Sequence, residues 1–325
     1  MIKAHQIGIT FLPQLQAEKL KEFAQQSEEA GFDSIMLWED CFYAGAFSSA
    51  ATLLSATQRI QVSIGILPAT VRNPVFTAME ISTLARLYPG RFIAGFGHGV
   101  ESWMKQIGAY PQSTLKALEE TVTSVRQLLS GQEVSLTGTH VHLDKAKLLW
   151  PPSQVPPLYI GGIREKTLQL AGKLADGTIL TGMSSAAYVR WAKKQIASVP
   201  SERPENTCSV TIACQISEDG VTAREKARQW LVSCIGTGEP LLFALGLEKE
   251  APELVKKYGP EKAASQIPED WLDELTASGT PQQAASAIQR LWDAGADSVV
   301  LQPLTADLAS LQEIIRLLMP LVKRR

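Results

Sequence analysis

The groups that could do chemistry stand where apolar runs stop. In "SIMLWEDCFY" (34–43) four apolar residues end on Glu39, Asp40 and Cys41. Paired carboxylates can move protons or accept hydrogen bonds, and a thiol can attack an electrophile or simply fill space. In "GFGHG" (95–99) His98 stands between Gly97 and Gly99, either as a base or, more simply, as a rim histidine that only hydrogen-bonds. In "IGGIREKTLQLAG" (160–172) Ile160 is followed by Gly161, Gly162 and Arg164 at the start of a helical pattern. Free N–H groups at a helix start favour an anion, and Arg164 could add charge; a tight turn would leave the same pattern. Two other constellations lead nowhere. "GFGHG" lacks the G-x-G-x-x-G spacing of a dinucleotide fingerprint. His140 and His142 have no third ligand nearby, so no metal site is expected. No P-loop, Ser-His-Asp or Cys-His arrangement is visible.

These groups need elements to bring them together. "AGFDSIMLWED" (30–40), "YPGRFIAGFGHG" (88–99), "LADGTILTG" (174–182) and "AGADSVVLQP" (294–303) share one design, a glycine or Asp-Gly turn and then a short apolar run. Glycine ends helices in the left-handed conformation, so each run reads as a strand entered from a helix. Further strands are expected at Gln6–Phe11, 60–67, 158–160 and 209–216. Helical spacing joins them: Leu118, Val122, Val125 and Leu129 on one face, and Ala284, Ile288, Leu291 and Trp292 on another. The second helix opens with Thr280 as N-cap, Pro281 at the first position and Gln283 as capping-box partner. About eight strand–helix units predict a closed (β/α)₈ barrel, with an open doubly wound sheet as the alternative. A surface hairpin is expected at 131–152 and short inserted helices at 236–279, before the last unit; the whole chain, 1–325, is expected to be one domain.

In such a barrel the strand ends share one face. That face would gather Glu39, Asp40 and Cys41 with Phe11–Pro13, Gly65, Ile66, Gly97, His98, Gly99, Ile160, Gly161, Gly162, Thr181, Gly182 and Gln302.

The composition, 45% hydrophobic and 20% charged, can bury a large core. The net charge of −2 argues against nucleic acid as a partner. No apolar run approaches the ~18 residues of a membrane span, and "MIKAHQIGITFLP" lacks a leader's apolar core. The basic end Lys323-Arg324-Arg325 reads as a solvated helix end. Cys41, Cys208, Cys214 and Cys234 form no C-x-x-C pair and no disulfide framework, so a cytoplasmic location is expected.

Nearly the whole chain resembles the luciferase-like flavin-dependent oxidoreductases, which include the bacterial luciferase-like monooxygenases. The resemblance is strongest to the branch with the deazaflavin-dependent methylenetetrahydromethanopterin reductases. It is carried by "GILPATVRNPVFTAMEISTLARLYPGRFIAGFGHG" (65–99), "PLYIGGIREKTLQLAGKLADGTILTG" (157–182) and "GTPQQAASAIQRLWDAGADSVVLQP" (279–303). It implies a TIM-like barrel, a homodimer, FMN or coenzyme F420 across the mouth, and a small-molecule substrate. It also implies a phosphate tail near Gly161, Gly162, Thr181 and Gly182, and a bulge with a non-prolyl cis peptide at Gly65–Ile66 behind the ring. Where many members carry Ser-Asp-His this chain has Glu39-Asp40-Cys41, so the acid is kept and the histidine is not. Asp40 is then expected to fix the ring and Cys41 to be a small wall residue. Proton transfer would fall to His98, Glu39 or solvent. Two rival readings are a flavin-binding barrel without turnover and a non-redox barrel enzyme for a phosphorylated substrate.

Overall fold

A computed structural model describes residues 5–236 and 240–323. The residues read above for a leader (1–4), three positions of the insertion (237–239) and Arg324 and Arg325 lie outside the described residues.

Eight parallel strands close into a barrel: β1 (Gln6–Phe11), β2 (Ser34–Leu37), β3 (Gln61–Pro68), β4 (Phe92–Gly97), β7 (Leu158–Gly161), β8 (Gly177–Leu180), β9 (Thr207–Ile216) and β11 (Ser298–Pro303). Closure is made by β11 beside β1, with Gln6 opposite Ser298 and Ile9 opposite Leu301. The first and last apolar runs, near-copies in sequence, are thus β2 and β11, flanking β1 on either side. Helices follow the strands and cover the barrel: α1 (Leu20–Glu29), α2 (Ala46–Ser55), α3 (Pro74–Leu87), α4 (Glu101–Gln106), α5 (Thr114–Leu129), α6 (Glu165–Leu174), α7 (Ala186–Ala197), α8 (Val221–Gly236), α11 (Pro281–Asp293), α12 (Leu308–Leu317) and α13 (Met319–Val322). The α5 and α11 faces expected from spacing are buried, and the Thr280–Gln283 capping box is formed in both directions.

Two additions interrupt the rhythm. The hairpin β5 (Val134–Thr137) and β6 (His142–Ala146) is antiparallel, as its polar–apolar alternation predicts. Its turn is held by the buried Glu120 of α5, which accepts the N–H groups of Thr139, His140 and Val141 at 2.9, 2.9 and 3.0 Å. The insertion contains a 3-10 turn (Pro240–Leu245), α9 (Glu250–Ala263) and α10 (Glu269–Leu275). It ends in a ninth strand, β10 (Thr276–Gly279), paired in parallel with the far half of β9. "TASG" is too short and too small in its side chains to show a strand period, so only helices were expected there.

Alternation along the strands sorts the two faces. Val62, Ile64, Phe92, Ala94, Val210 and Ile212 face the covering helices, whereas Met36, Tyr159, Ile179 and Val300 form a second apolar cluster. Ser34, Ser63 and Ser209 share one small cavity with that cluster, which places them inside the barrel. The interior is plugged by side chains, so a ligand must sit above the plug.

Candidate active site at the barrel mouth

Above the plug lies a cavity of ≈ 400 Å³ lined by the ends of β2, β3, β4, β7 and β8. Asp40, Gly65, Ile66, Gly97, His98, Gly99, Gly161, Gly162 and Thr181 all border it, so most of the expected site is assembled from five strands. Phe11, Leu12, Pro13 and Gln302, also expected on this face, do not border it, and four more expected residues stand elsewhere. Ile160 is fully buried in the core that faces the helices. Arg164 is exposed and lines an adjoining chamber of ≈ 570 Å³, with His98 and Gly99 shared between the two. Neither Cys41 nor Gly182 borders the cavity; Gly182 instead lies beside Gln302 and Trp230.

The back wall is Ile66. β3 runs on past the expected bulge to Pro68, and its register against β4 shifts between Ile64 and Leu67. The Gly65–Ile66 peptide is cis, as the resemblance implies, and so is Cys41–Phe42, for which the sequence gives no sign. The Ile66 side chain is wedged between two glycines. A Cβ on Gly97 would lie 2.8 Å from Ile66 Cγ1, and one on Gly161 2.5 Å from Ile66 Cγ2. Only glycine on both flanks leaves room for the branched side chain that walls the cavity.

The polar groups divide into tied and untied. Glu39 is tied: Arg72 grips both its oxygens at 2.5 Å each and the Ala46 N–H adds a contact at 3.3 Å. It therefore braces the β2 loop against the segment after β3. Asp40 has no hydrogen-bond or ion-pair partner for its carboxylate among the described residues, and burial pushes its pKa above the usual value. His98 Nε2 pairs with Thr167 Oγ1 at 3.0 Å, while its Nδ1 is buried without a hydrogen-bond partner. Burial pushes the imidazole pKa down, opposed in part by the Thr114 main chain, so the ring is neutral at pH 7. Cys208 and Cys214 are pushed up to about 12 by burial and are inert packing groups. None of the four cysteines is in a disulfide among the described residues. Among the described residues no group of three potential metal ligands occurs, and no helix is long and apolar enough to cross a membrane.

Sequence reasoning missed Trp38, Pro68, Val100, Trp103, Met104, Ile163, Ile179 and Thr211, which also line the cavity. Trp38 and the Val100–Met104 segment adjoin the motifs singled out and could have been found by extending them. Thr167 could have been found as a first-turn residue of α6 facing the mouth. The Glu39–Arg72 pair spans 33 positions and leaves no local signal.

The site suits a flat conjugated ring. One wall is a single branched side chain held by glycine-thin backbone, and the open side carries one unpartnered carboxylate. A barrel with such a mouth has its ligand cavity at the strand ends, where enzymes of this fold carry their active sites. The sequence profile of the luciferase-like monooxygenases matches residues 5–298, and the chain belongs to that family. It is 26% identical over 304 residues to the 5,10-methylenetetrahydromethanopterin reductase of Methanolobus tindarius, covering 90% of this chain and 92% of that one. It is 28% identical over 296 residues to an F420-dependent glucose-6-phosphate dehydrogenase of Kineococcus radiotolerans, covering 85% and 84%. The fold is that of the coenzyme F420-dependent tetrahydromethanopterin reductase of Methanopyrus kandleri, with a TM-score of 0.84 at 21% identity over 98% of this chain and 99% of that one.

Proposed function

We propose that this enzyme is a deazaflavin-dependent oxidoreductase that moves a hydride between coenzyme F420 and a small organic substrate. It is an enzyme of the luciferase-like type, whose relatives use F420 or FMN. F420 is preferred to FMN because the full-length sequence relatives named above are F420-dependent or act in the tetrahydromethanopterin series. The observation that carries the reading is the Ile66 wall on Gly97 and Gly161, facing a cavity open to the solvent side. A bound deazaflavin supplies the hydride acceptor or donor; the protein supplies position and electrostatics. Ile66 sets how deep the ring lies. Gly161 and Gly162 make room for Ile66 and Thr167 at the cavity edge, and the adjoining chamber at the α6 start, with Arg164, receives an anionic tail. Asp40 takes a hydrogen bond from ring or substrate, and Trp38 and Trp103 keep water from the reacting face. His98, neutral and fixed by Thr167, is the group we assign to take or give a proton, because Glu39 is held by Arg72 and Asp40 holds ring or substrate.

We place the enzyme in the cytoplasm, in keeping with four cysteines that form no disulfide among the described residues. We also propose a homodimer, supported by the apolar stripe Phe76, Met79 and Leu87 on α3, 64, 48 and 65% exposed, beside the exposed Trp150. The test is an absorbance titration with F420 and with FMN. F420 should bind below tens of micromolar, about −6 kcal/mol, and more tightly than FMN. Binding of neither would end the redox assignment, and tighter binding of FMN would move the enzyme to the monooxygenase side of the family.

A further inference from the structure

The mouth cavity is electrostatically one-sided. Its walls are Trp38, Ile66, Val100, Trp103, Met104 and Ile163, and no lysine or arginine borders it among the described residues. Two carboxylates do. Glu39 is neutralised by its two-point contact with Arg72, in which the side chains are 12% and 31% exposed, respectively. Asp40 stands alone, its neighbours along the chain being Glu39 and Cys41. Arg72 is taken up by Glu39, and Lys166 and Arg164 line the chamber beyond His98 and not this cavity.

We propose that the reacting end of the substrate is flat, apolar and neutral or cationic, and that Asp40 selects for it. This rests on the reading of the mouth as a redox site. An uncompensated carboxylate in a cavity walled by apolar side chains attracts a cation and repels an anion more strongly than one in bulk water. Indole faces add to the attraction, since their quadrupole places negative charge towards a cation. A phosphorylated or carboxylated reacting end would lose its hydration and find no cation among the described walls. The site therefore differs in kind from one built for a sugar phosphate, although F420-dependent glucose-6-phosphate dehydrogenases are among the relatives. An ammonium, iminium or protonated heteroaromatic amine satisfies both features at once, the aromatic walls and the lone carboxylate. A neutral heteroaromatic satisfies the first.

Three probes of similar shape and different charge test this by calorimetric titration at pH 8: N-methylquinolinium, quinoline and quinoline-2-carboxylate. Each is titrated into the purified protein alone, and again with saturating oxidised cofactor where one binds. The cation should bind about tenfold more tightly than the neutral probe, and the anion more weakly than either. Asp40→Asn should abolish the advantage of the cation over the neutral probe, with a circular dichroism spectrum like that of the unmodified protein showing that the variant is folded. An anion that binds as well as the cation, or an unchanged cation preference in Asp40→Asn, overturns the inference. If the variant does not fold, the order of the three probes on the unmodified protein decides alone. The charge order is independent of the cofactor titration: loss of F420 and FMN binding with the order intact would sink the redox reading only, and the reverse result would sink this inference only.

Discussion

Gly161→Ala puts the Ile66 wall to a quantitative test. The new methyl would lie 2.5 Å from Ile66 Cγ2, where ordinary contact begins at 3.4 Å, so Ile66 must give way by about 1 Å. Its other flank already lies against the Gly97 backbone, where it fills the place a Cβ would take, 2.8 Å from Ile66 Cγ1. The free direction is into the cavity, where a ring packed on Ile66 would have to move. Overpacking of this kind costs roughly 1–3 kcal/mol, which as lost affinity is about a 5- to 150-fold rise in cofactor Kd. Because the cavity is open, the cost should fall on binding more than on folding, and the Tm of the cofactor-free protein should change little. Trimming the wall should reverse the effect. In Gly161→Ala with Ile66→Ala, Cγ2 is gone and the next atom of residue 66, Cβ, is at 3.8 Å. The pair of substitutions should therefore bind better than Gly161→Ala alone and show strong non-additivity against Ile66→Ala. Absorbance titration of the four proteins gives the cycle. If Gly161→Ala binds F420 as the unmodified protein does, or if the two changes simply add, Ile66 is not the wall that sets the depth of the ring.

Gly162→Ala should act differently: its methyl would meet Thr167 Cγ2 at 2.4 Å, so it disturbs the Thr167–His98 pair. We expect a fall in kcat that Thr167→Val reproduces, whereas an effect on cofactor Kd alone would return Gly162 to a purely backbone role. Asp40→Asn should raise the melting temperature at pH 7 and not at pH 3.5. Burial raises the folded-state pKa of this carboxyl, so the native state binds the extra proton and stability falls as pH climbs from the unfolded value of about 3.9 through the folded one. Melting curves that show no gain at neutral pH would mean that Asp40 is not held charged against its surroundings. Arg72→Ala leaves the Glu39 carboxylate, 12% exposed, without its main partner and should cost about 1–3 kcal/mol in urea unfolding. Glu39→Gln with Arg72→Ala should cost less than Arg72→Ala alone, and equal costs would show that the pair contributes little.

The barrel was legible because its signals are local. A glycine turn and then an apolar run can be read within ten residues, and the near-identity of "AGFDSIML" and "AGADSVVL" shows one design used twice. The Thr280–Pro281–Gln283 start is legible for the same reason, since three positions settle a cap. β10 was not, because its pairing with β9 is made across 63 positions and its own residues carry no period. The site shows the same division. The glycines declared where backbone must come close, but not what comes close to it. For Gly97 and Gly161 the neighbour is Ile66, and for Gly162 it is Thr167. Whether a carboxylate is paired depends on contacts distant in sequence, so Glu39 and Asp40 read alike in the chain and differ in the fold.

The shared border of the two mouth chambers has a consequence for inhibitor design. His98 and Gly99 belong to both, so a fragment in the ≈ 400 Å³ cavity and a second in the ≈ 570 Å³ chamber would be separated by little more than one imidazole ring. A short tether passing over His98 would make the second binding event intramolecular, at an effective concentration of the order of millimolar. Two weak fragments, one flat and cationic for the Asp40 side and one acidic for the Arg164 side, would then combine their free energies in a single dipolar molecule. The tether length would be set by the reach across one histidine, which makes stiffness, rather than size, the property to optimise.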